Sequence, residues 1–242
     1  DTVSVSYTRP LSNKLRDAAA NNVANFSTSV TNNTADVAAP TTVVQFPSSS
    51  GAYNASGWAT NSCSGSPGGG KICGTVSDAG SGVQKVQLSI RDGSANYYDG
   101  TGFTSASEVF LNASGTANWN YSLASSALTD GHSYTIRVKA TDNSTNVETP
   151  QSIGFSYDTT APGAPTITST PASSTTATTA TFTFTSTDPT ATFQCSLDGG
   201  VYTSCTSPNN LTGLAVGSRT FSVRAVDPAG NVGPASSYSW TI

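Results

Sequence analysis

Ser133-Tyr-Thr-Ile-Arg-Val-Lys-Ala-Thr-Asp142 and Ser218-Arg-Thr-Phe-Ser-Val-Arg-Ala-Val-Asp227 decide the fold, because they repeat one pattern 85 residues apart. In both stretches apolar and polar side chains alternate, which is the period of a strand with one buried face. Each stretch is followed by the same turn, with an Asp and then an Asn-Val pair four residues later. A second alternating strand follows each turn. The repetition predicts two similar β modules in series.

The linkers repeat as well, and they set the boundaries. Asp36-Val-Ala-Ala-Pro40 and Asp158-Thr-Thr-Ala-Pro162 share the pattern Asp-x-x-Ala-Pro at the start of a module. Proline stiffens such a junction and removes a backbone donor. We therefore expect an N-terminal segment at 1–35, a middle domain at 36–157 and a C-terminal domain at 158–242.

Composition favours strands and excludes several classes of function. The chain has 242 residues, of which 10% are charged, and a formal net charge of −4. Because Glu and Lys are rare, helix is nearly excluded, with one turn near 13–20 as the exception. No basic patch suits nucleic acid or anionic lipid, and no apolar run approaches the ~18 residues of a membrane span. We expect neither nucleic-acid binding nor direct membrane insertion.

The four cysteines fall into two local pairs. Cys63 with Cys73, and Cys195 with Cys205, each enclose nine residues, one pair per expected domain. This arrangement predicts two disulfides formed in an oxidising compartment. A zinc site is disfavoured, because CxxC spacing is absent and His132 is the single histidine.

Two parts of the chain resemble known modules. The C-terminal part, with Ala191-Thr-Phe-Gln-Cys-Ser-Leu-Asp-Gly199 and Arg224-Ala-Val-Asp-Pro-Ala-Gly-Asn231, resembles a bacterial Ig-like repeat found in arrays on large surface proteins. The middle domain resembles a related module through Gly74-Thr-Val-Ser-Asp-Ala-Gly-Ser-Gly82. The resemblance implies an all-β fold of tandem immunoglobulin-like β-sandwiches joined by short Pro-containing linkers. Such modules serve adhesins, stalks, sheaths and enzyme appendages, so the family leaves function open.

In the first 35 residues, the stretch Thr2-Val-Ser-Val-Ser-Tyr-Thr8 is followed by Leu15-Arg-Asp-Ala-Ala-Ala-Asn21. This segment resembles only the end of another surface repeat, the swimming-motility type. Its alternating strand carries Val3, Val5 and Tyr7. A single strand cannot fold alone, so we expect this one to need a partner. One alternative is donation to a neighbouring copy, which would build a filament by β-strand addition. The other is that the rest of its own repeat lies outside the sequence.

The repeated Asp turns have two interpretations. In the first, Asp142 and Asp227 accept backbone N–H bonds in structural turns, and Asn231 caps the next strand. In the second, they join a linker residue such as Asp158 or Asp36 to bind Ca²⁺ between domains. The turn is favoured, because the dense Asp cluster that calcium requires is missing. We expect no other cofactor.

A ligand face, if one exists, is expected around Trp58, Tyr97 and Tyr98, which lie in Gly- and Asn-rich sequence. Trp119 and Trp240 lie in alternating strands and are expected in the cores. Catalysis is not expected, since His132 has no recognisable partner and no nucleophile motif occurs.

These observations predict a non-catalytic structural subunit of an extracellular fibre or surface filament, secreted by a prokaryote. It would self-associate, with polymerisation through the strand at Val3, Val5 and Tyr7. The alternative is an adhesin or glycan-binding accessory module of a larger secreted protein.

Overall fold

The computed structural model describes residues 2–7, 26–31, 35–61, 63 and 69–242. The chain divides into two compact units, residues 1–37 and 38–242. The expected helical turn near 13–20 lies outside the described residues. None of the helices among the described residues is long and apolar enough to cross a membrane.

The first unit contains a two-stranded antiparallel sheet. Strand β1 (Thr2–Tyr7) pairs with β2 (Phe26–Thr31) over six residue pairs, from Thr2 with Thr31 to Tyr7 with Phe26. The strand that carries Val3, Val5 and Tyr7, which was expected to need a partner, therefore has one within the chain. Its partner is a second Ser/Thr-rich segment some twenty residues further along the same chain, because an antiparallel pair satisfies the backbone groups that a lone strand would leave in water.

The second unit begins with a sandwich of two sheets. One sheet has the order β10-β5-β3, and the other has the order β4-β12-β11-β6-β7-β8, with β9 beside β6. The strands are β3 (Thr41–Phe46), β4 (Gly51–Tyr53), β5 (Lys71–Ser77), β6 (Val83–Asp92), β7 (Tyr97–Tyr98), β8 (Phe103–Ser105), β9 (Leu111–Asn112), β10 (Asn118–Ser122), β11 (His132–Asp142) and β12 (Gln151–Tyr157). A short 3-10 helix lies at Ser125–Ala127.

A second sandwich follows, with sheets in the order β13-β14-β17 and β16-β15-β18-β19. Its strands are β13 (Thr166–Ser169), β14 (Ala180–Thr185), β15 (Thr192–Leu197), β16 (Thr203–Cys205), β17 (Asn209–Leu211), β18 (Ser218–Val226) and β19 (Ser236–Thr241). The all-β fold of tandem Ig-like sandwiches is thus confirmed.

Each sandwich has its own hydrophobic core. The alternation read from the sequence points inward as expected: Ile136, Val138 and Ala140 are fully buried in the first core. Phe221 and Val223 occupy the same positions in the second core, where Phe182 stacks on Phe221 with ring centroids 4.1 Å apart. The period-2 pattern therefore identifies the buried faces of both modules.

One helix escapes the sequence analysis. Helix α1 (Ala55–Thr60) begins after Asn54, whose side chain accepts a hydrogen bond from the Gly57 N–H at 2.7 Å. It carries Trp58 into the first core, where the indole stacks on Phe155 and its Nε1 donates to the Leu123 carbonyl at 2.8 Å. Trp58 is fully buried. Burial of this ring, rather than helix propensity, explains the helix.

Candidate functional site

The repeated Asp turns have the same geometry in both sandwiches. After β11, the Asp142 carboxylate accepts from the Asn146 backbone N–H and from its Nδ2, both at 2.7 Å. After β18, Asp227 accepts the same two bonds from Asn231 at 2.8 Å. Both Asp side chains are buried. Since a buried carboxylate is costly without donors, each Asn is what allows its Asp to lie there.

The turn of the second sandwich also holds the linker. Asn231 Nδ2 donates to the Asp158 carbonyl at 2.8 Å, in addition to its bond with Asp227. The Asp158 backbone N–H donates to the Tyr53 carbonyl of the first sandwich at 3.0 Å. Asp158 is therefore bonded through its own backbone to one sandwich on each side.

Asp130, in the loop before β11, binds the next two linker residues. Its carboxylate accepts from the Thr159 backbone N–H at 2.5 Å and from the Thr160 hydroxyl at 2.6 Å. These bonds lower the pKa of Asp130, the Thr159 N–H having the largest effect and the Thr160 hydroxyl the next. The Thr160 N–H bonds in turn to the Asp158 side chain at 2.9 Å. The linker thus leaves the first sandwich in a defined conformation.

Further along the linker, Pro162 lies against the second sandwich. It is buried, and a Cβ placed on Gly233 would come within 2.3 Å of its carbonyl oxygen. Only glycine permits this approach, because no real Cβ contact is that short. A cavity of about 290 Å³ remains at the junction, lined by residues of both sandwiches that include Ala52, Tyr157, Asp188 and Pro228.

The acidic side chains at this junction act as hydrogen-bond acceptors. The carboxylates of Asp130, Asp158 and Asp227 all accept bonds from N–H or hydroxyl groups of the protein. Such an arrangement can hold the two modules in one orientation.

No catalytic constellation occurs among the described residues. The His132 Nδ1 lies 2.9 Å from the Asp92 carboxylate, and no described hydroxyl or thiol bonds to this imidazole.

All four cysteines are in disulfides, Cys63 with Cys73 and Cys195 with Cys205, as expected.

The ligand face expected around Trp58, Tyr97 and Tyr98 needs correction. Trp58 cannot stack on a sugar, because it is part of the first core. Tyr98 is half-buried against Phe103, and the Arg91 guanidinium lies 5.2 Å from the ring centroid of Tyr97. The two tyrosines remain partly accessible on β7, so a ligand there stays a prediction. Trp119 and Trp240 are buried, as core residues should be.

The four residues named for calcium or a structural turn lie in two places. Asp158, Asp227 and Asn231 meet at the junction. Asp142 belongs to the turn after β11, at the end of the first sandwich that lies away from the linker. There the carboxylate oxygens of Asp142 and Asp78 lie within 4.8 Å of each other. The bonds donated by Asn146 and Asn231 are those of the structural turn. Calcium binding by these residues stays a prediction.

Sequence reasoning missed two residues that act over long range. Asp130 precedes a glycine and reads as an ordinary turn residue, yet it bonds residues 29 and 30 positions away. Glu148 reads as a surface residue after the turn, yet it is buried and bonds Thr42. The one available signal was that Glu148 is one of only two Glu in the chain.

Comparison with known proteins gives a likeness of fold only. No protein-family model and no curated protein matches this sequence. Among solved structures, the fibronectin(III)-like modules of CbhA from Clostridium thermocellum are 14% identical, with a TM-score of 0.48, over 84% of this chain and 94% of that one. The FN1–FN3 domains of chicken CNTN1 are 12% identical, with a TM-score of 0.47, over 84% of this chain and 66% of that one.

A bacterial protein is also similar in fold. It is a Ca²⁺-stabilised adhesin with which an Antarctic bacterium binds ice, 17% identical, with a TM-score of 0.38. The match covers 99% of this chain and 55% of the adhesin chain, so this chain spans about half the length of that structure. At TM-scores below 0.5, these likenesses carry no inference about what the present chain binds.

Proposed function

We propose that this chain is a non-catalytic structural segment of an extracellular surface fibre, in which two Ig-like sandwiches are locked in series. The observation that carries the proposal is the linker at 158–162, which bonds to the first sandwich through Tyr53 and Asp130 and to the second through Asn231. A flexible tether would leave these backbone groups to water, whereas here they have protein partners.

The disulfides support an extracellular location. Both bridges close short loops, and such bridges persist in oxidising compartments. The low charge of the chain and its Ser/Thr-rich surface fit the same environment. A structural segment does not need a binding cleft. The carboxylates at the junction fit this role, because they accept hydrogen bonds that hold the linker and the turn.

The finer proposal is that copies polymerise through the N-terminal strand. Strand β1 has β2 as its partner, and a two-stranded sheet is only marginally stable by itself, so a further strand or face from another copy would stabilise it. Electron microscopy of the purified chain tests this idea. Filaments that disappear when residues 1–8 are deleted would support it, and filaments that persist after the deletion would refute it.

Distance measurement tests the locked junction itself. Spin labels on unnatural amino acids at the exposed positions Ser94 and Thr206, one in each sandwich, report the distance distribution between the modules. We expect a narrow distribution for the parent chain and a broader one for Asp130→Ala, because the Thr159 and Thr160 bonds are lost. Asp99→Ala is the matched control, because the Asp99 carboxylate bonds Thr101, Gly102 and Thr104 of the hairpin formed by β7 and β8. A broad distribution in the parent chain would refute the proposal.

A further inference from the structure

Strand β3 has a composition that invites pairing with another copy. Its six residues, Thr-Thr-Val-Val-Gln-Phe, carry no charge, and four of them are β-branched. Pro40 and Pro47 flank the strand on either side. Short uncharged segments of this kind form cross-strand assemblies when their edge is exposed, and flanking prolines are a common way of limiting this.

This strand lies at the edge of its sheet. In the order β10-β5-β3 it pairs with β5 and with no other strand of the described residues, and its Val43 side chain is 52% exposed. The Val43 carbonyl points toward β5, since a Cβ on Gly74 would lie 1.8 Å from it. Neighbouring residues of a strand direct their backbone groups to opposite sides, so the N–H and carbonyl of Thr42 point away from β5. An added strand would bond to Thr42.

Two side chains already occupy that position. Glu148 Oε1 accepts from the Thr42 N–H at 2.9 Å and from its hydroxyl at 3.1 Å. Gln151 Nε2 donates to the Thr42 carbonyl at 2.7 Å and to Glu148 Oε1 at 3.0 Å. An acceptor and a donor therefore stand where the backbone of a neighbouring strand would place its own.

The pair is anchored in the first sandwich. Glu148 Oε2 accepts from the Ala140 N–H of β11 at 3.1 Å, and Thr42 and Glu148 are both buried. An apolar residue at position 148 could fill the same space, but it would leave the Thr42 N–H without a partner. Burial of the Glu148 carboxylate is thus explained by its bonds to the exposed edge of β3, which it keeps from binding another strand.

We propose that Thr42, Glu148 and Gln151 form an edge lock, which keeps β3 from pairing with the β3 of a second copy. Released, two β3 edges would pair antiparallel about a two-fold axis. The edge lock therefore restricts association between copies to other surfaces. It rests on contacts within the first sandwich and is independent of the proposed fibre function.

The test is Gln151→Ala in the full chain. In this variant Glu148 still accepts from the Thr42 N–H, so we expect the sandwich to stay folded. The Thr42 carbonyl loses its donor and becomes available to another strand. Gln87→Ala is the matched control, because the Gln87 side chain donates to Asn112 Oδ1 of the same sandwich and not to β3. We expect sedimentation to show a doubled mass for Gln151→Ala at concentrations where the parent and Gln87→Ala chains keep their own mass.

A rescue variant separates pairing at β3 from general destabilisation. Val43→Lys puts a charge on the exposed face of the strand, and edge lysines oppose strand addition. The double variant Gln151→Ala, Val43→Lys should return to the mass of the parent chain. Hydrogen exchange at residues 41–46 should slow about tenfold in the associated Gln151→Ala species. The proposal is overturned if Gln151→Ala keeps the parent mass, if Val43→Lys fails to rescue it, or if the control associates equally.

Discussion

Replacing Asn231 by Ala should loosen the second sandwich and its hold on the linker together. Nδ2 of Asn231 bonds the Asp227 carboxylate and the Asp158 carbonyl, both at 2.8 Å. Without it, the buried Asp227 loses a donor, which costs about 1–3 kcal/mol, and the linker loses a bond worth about 0.5–1.5 kcal/mol. The free energy of unfolding of the second sandwich should therefore fall by about 1.5–4.5 kcal/mol.

The matched control is Asn146→Ala in the first sandwich. Asn146 makes the same two bonds to Asp142, but it lies at the other end of its module from the linker at 158–162. Native-state hydrogen exchange, followed separately in β11 and β18, assigns each loss of stability to its own sandwich. Distances between labels at Ser94 and Thr206 should broaden for Asn231→Ala alone. The reasoning fails if Asn231→Ala costs less than about 0.5 kcal/mol or if both variants broaden the distribution equally.

Three further predictions concern the linker, acid and the disulfide of the second sandwich. Gly233→Ala should lower the unfolding free energy by about 1–3 kcal/mol in urea titrations, because the new Cβ would meet the Pro162 carbonyl at 2.3 Å. Gly163→Ala, where the nearest atom is 3.6 Å away, should be neutral; equal losses would contradict the contact. The pKa of Asp130 is lowered by the Thr159 N–H, that of Asp188 by the Thr190 hydroxyl and that of Asp198 by the Thr220 N–H. Because these folded-state pKa values lie below the unfolded one, their stabilisation is complete above about pH 5 and is lost as the pH falls further. Urea midpoints that decline already between pH 7 and 5, and equally in Asp198→Asn, would contradict this assignment. Reduction of Cys195–Cys205 should cost about 2–3 kcal/mol by releasing its short loop, measured with and without dithiothreitol. In the Cys195→Ala, Cys205→Ala variant the stability of the second sandwich should be insensitive to the reductant, and a parent chain whose second sandwich is equally insensitive would refute the contribution.

The long strands could be predicted because apolar and polar residues alternate along them. The turns after them could be predicted because the same Asp and Asn-Val pattern occurs twice. The stretches ending at Asp142 and Asp227 carry their burial pattern in the sequence, since each inward residue is two positions from the next. The edge strands were harder to place. The short strands Leu111–Asn112 and Asn209–Leu211 could not be placed from the sequence. Two- and three-residue strands contain too little alternation to be recognised.

The contacts of the junction and of the edge lock could not be predicted from the sequence, because they join residues that are far apart in the chain. Trp58 lies in a segment with weak helix propensity, and only its partners Phe46 and Phe155, brought together by the fold, explain its burial. Glu148 and Thr42 are 106 residues apart, and a single sequence contains no periodicity that links them. The disulfides were predictable because each pair is close in sequence.

The claim on which the account depends is that residues 158–162 hold the two sandwiches in one orientation. Residual dipolar couplings of backbone N–H groups, measured for both sandwiches of the full chain in one aligned sample, test it most directly. A single alignment tensor should fit the couplings of both modules. Two tensors of different magnitude, each fitting one sandwich, would contradict it, because they would show that the modules reorient independently.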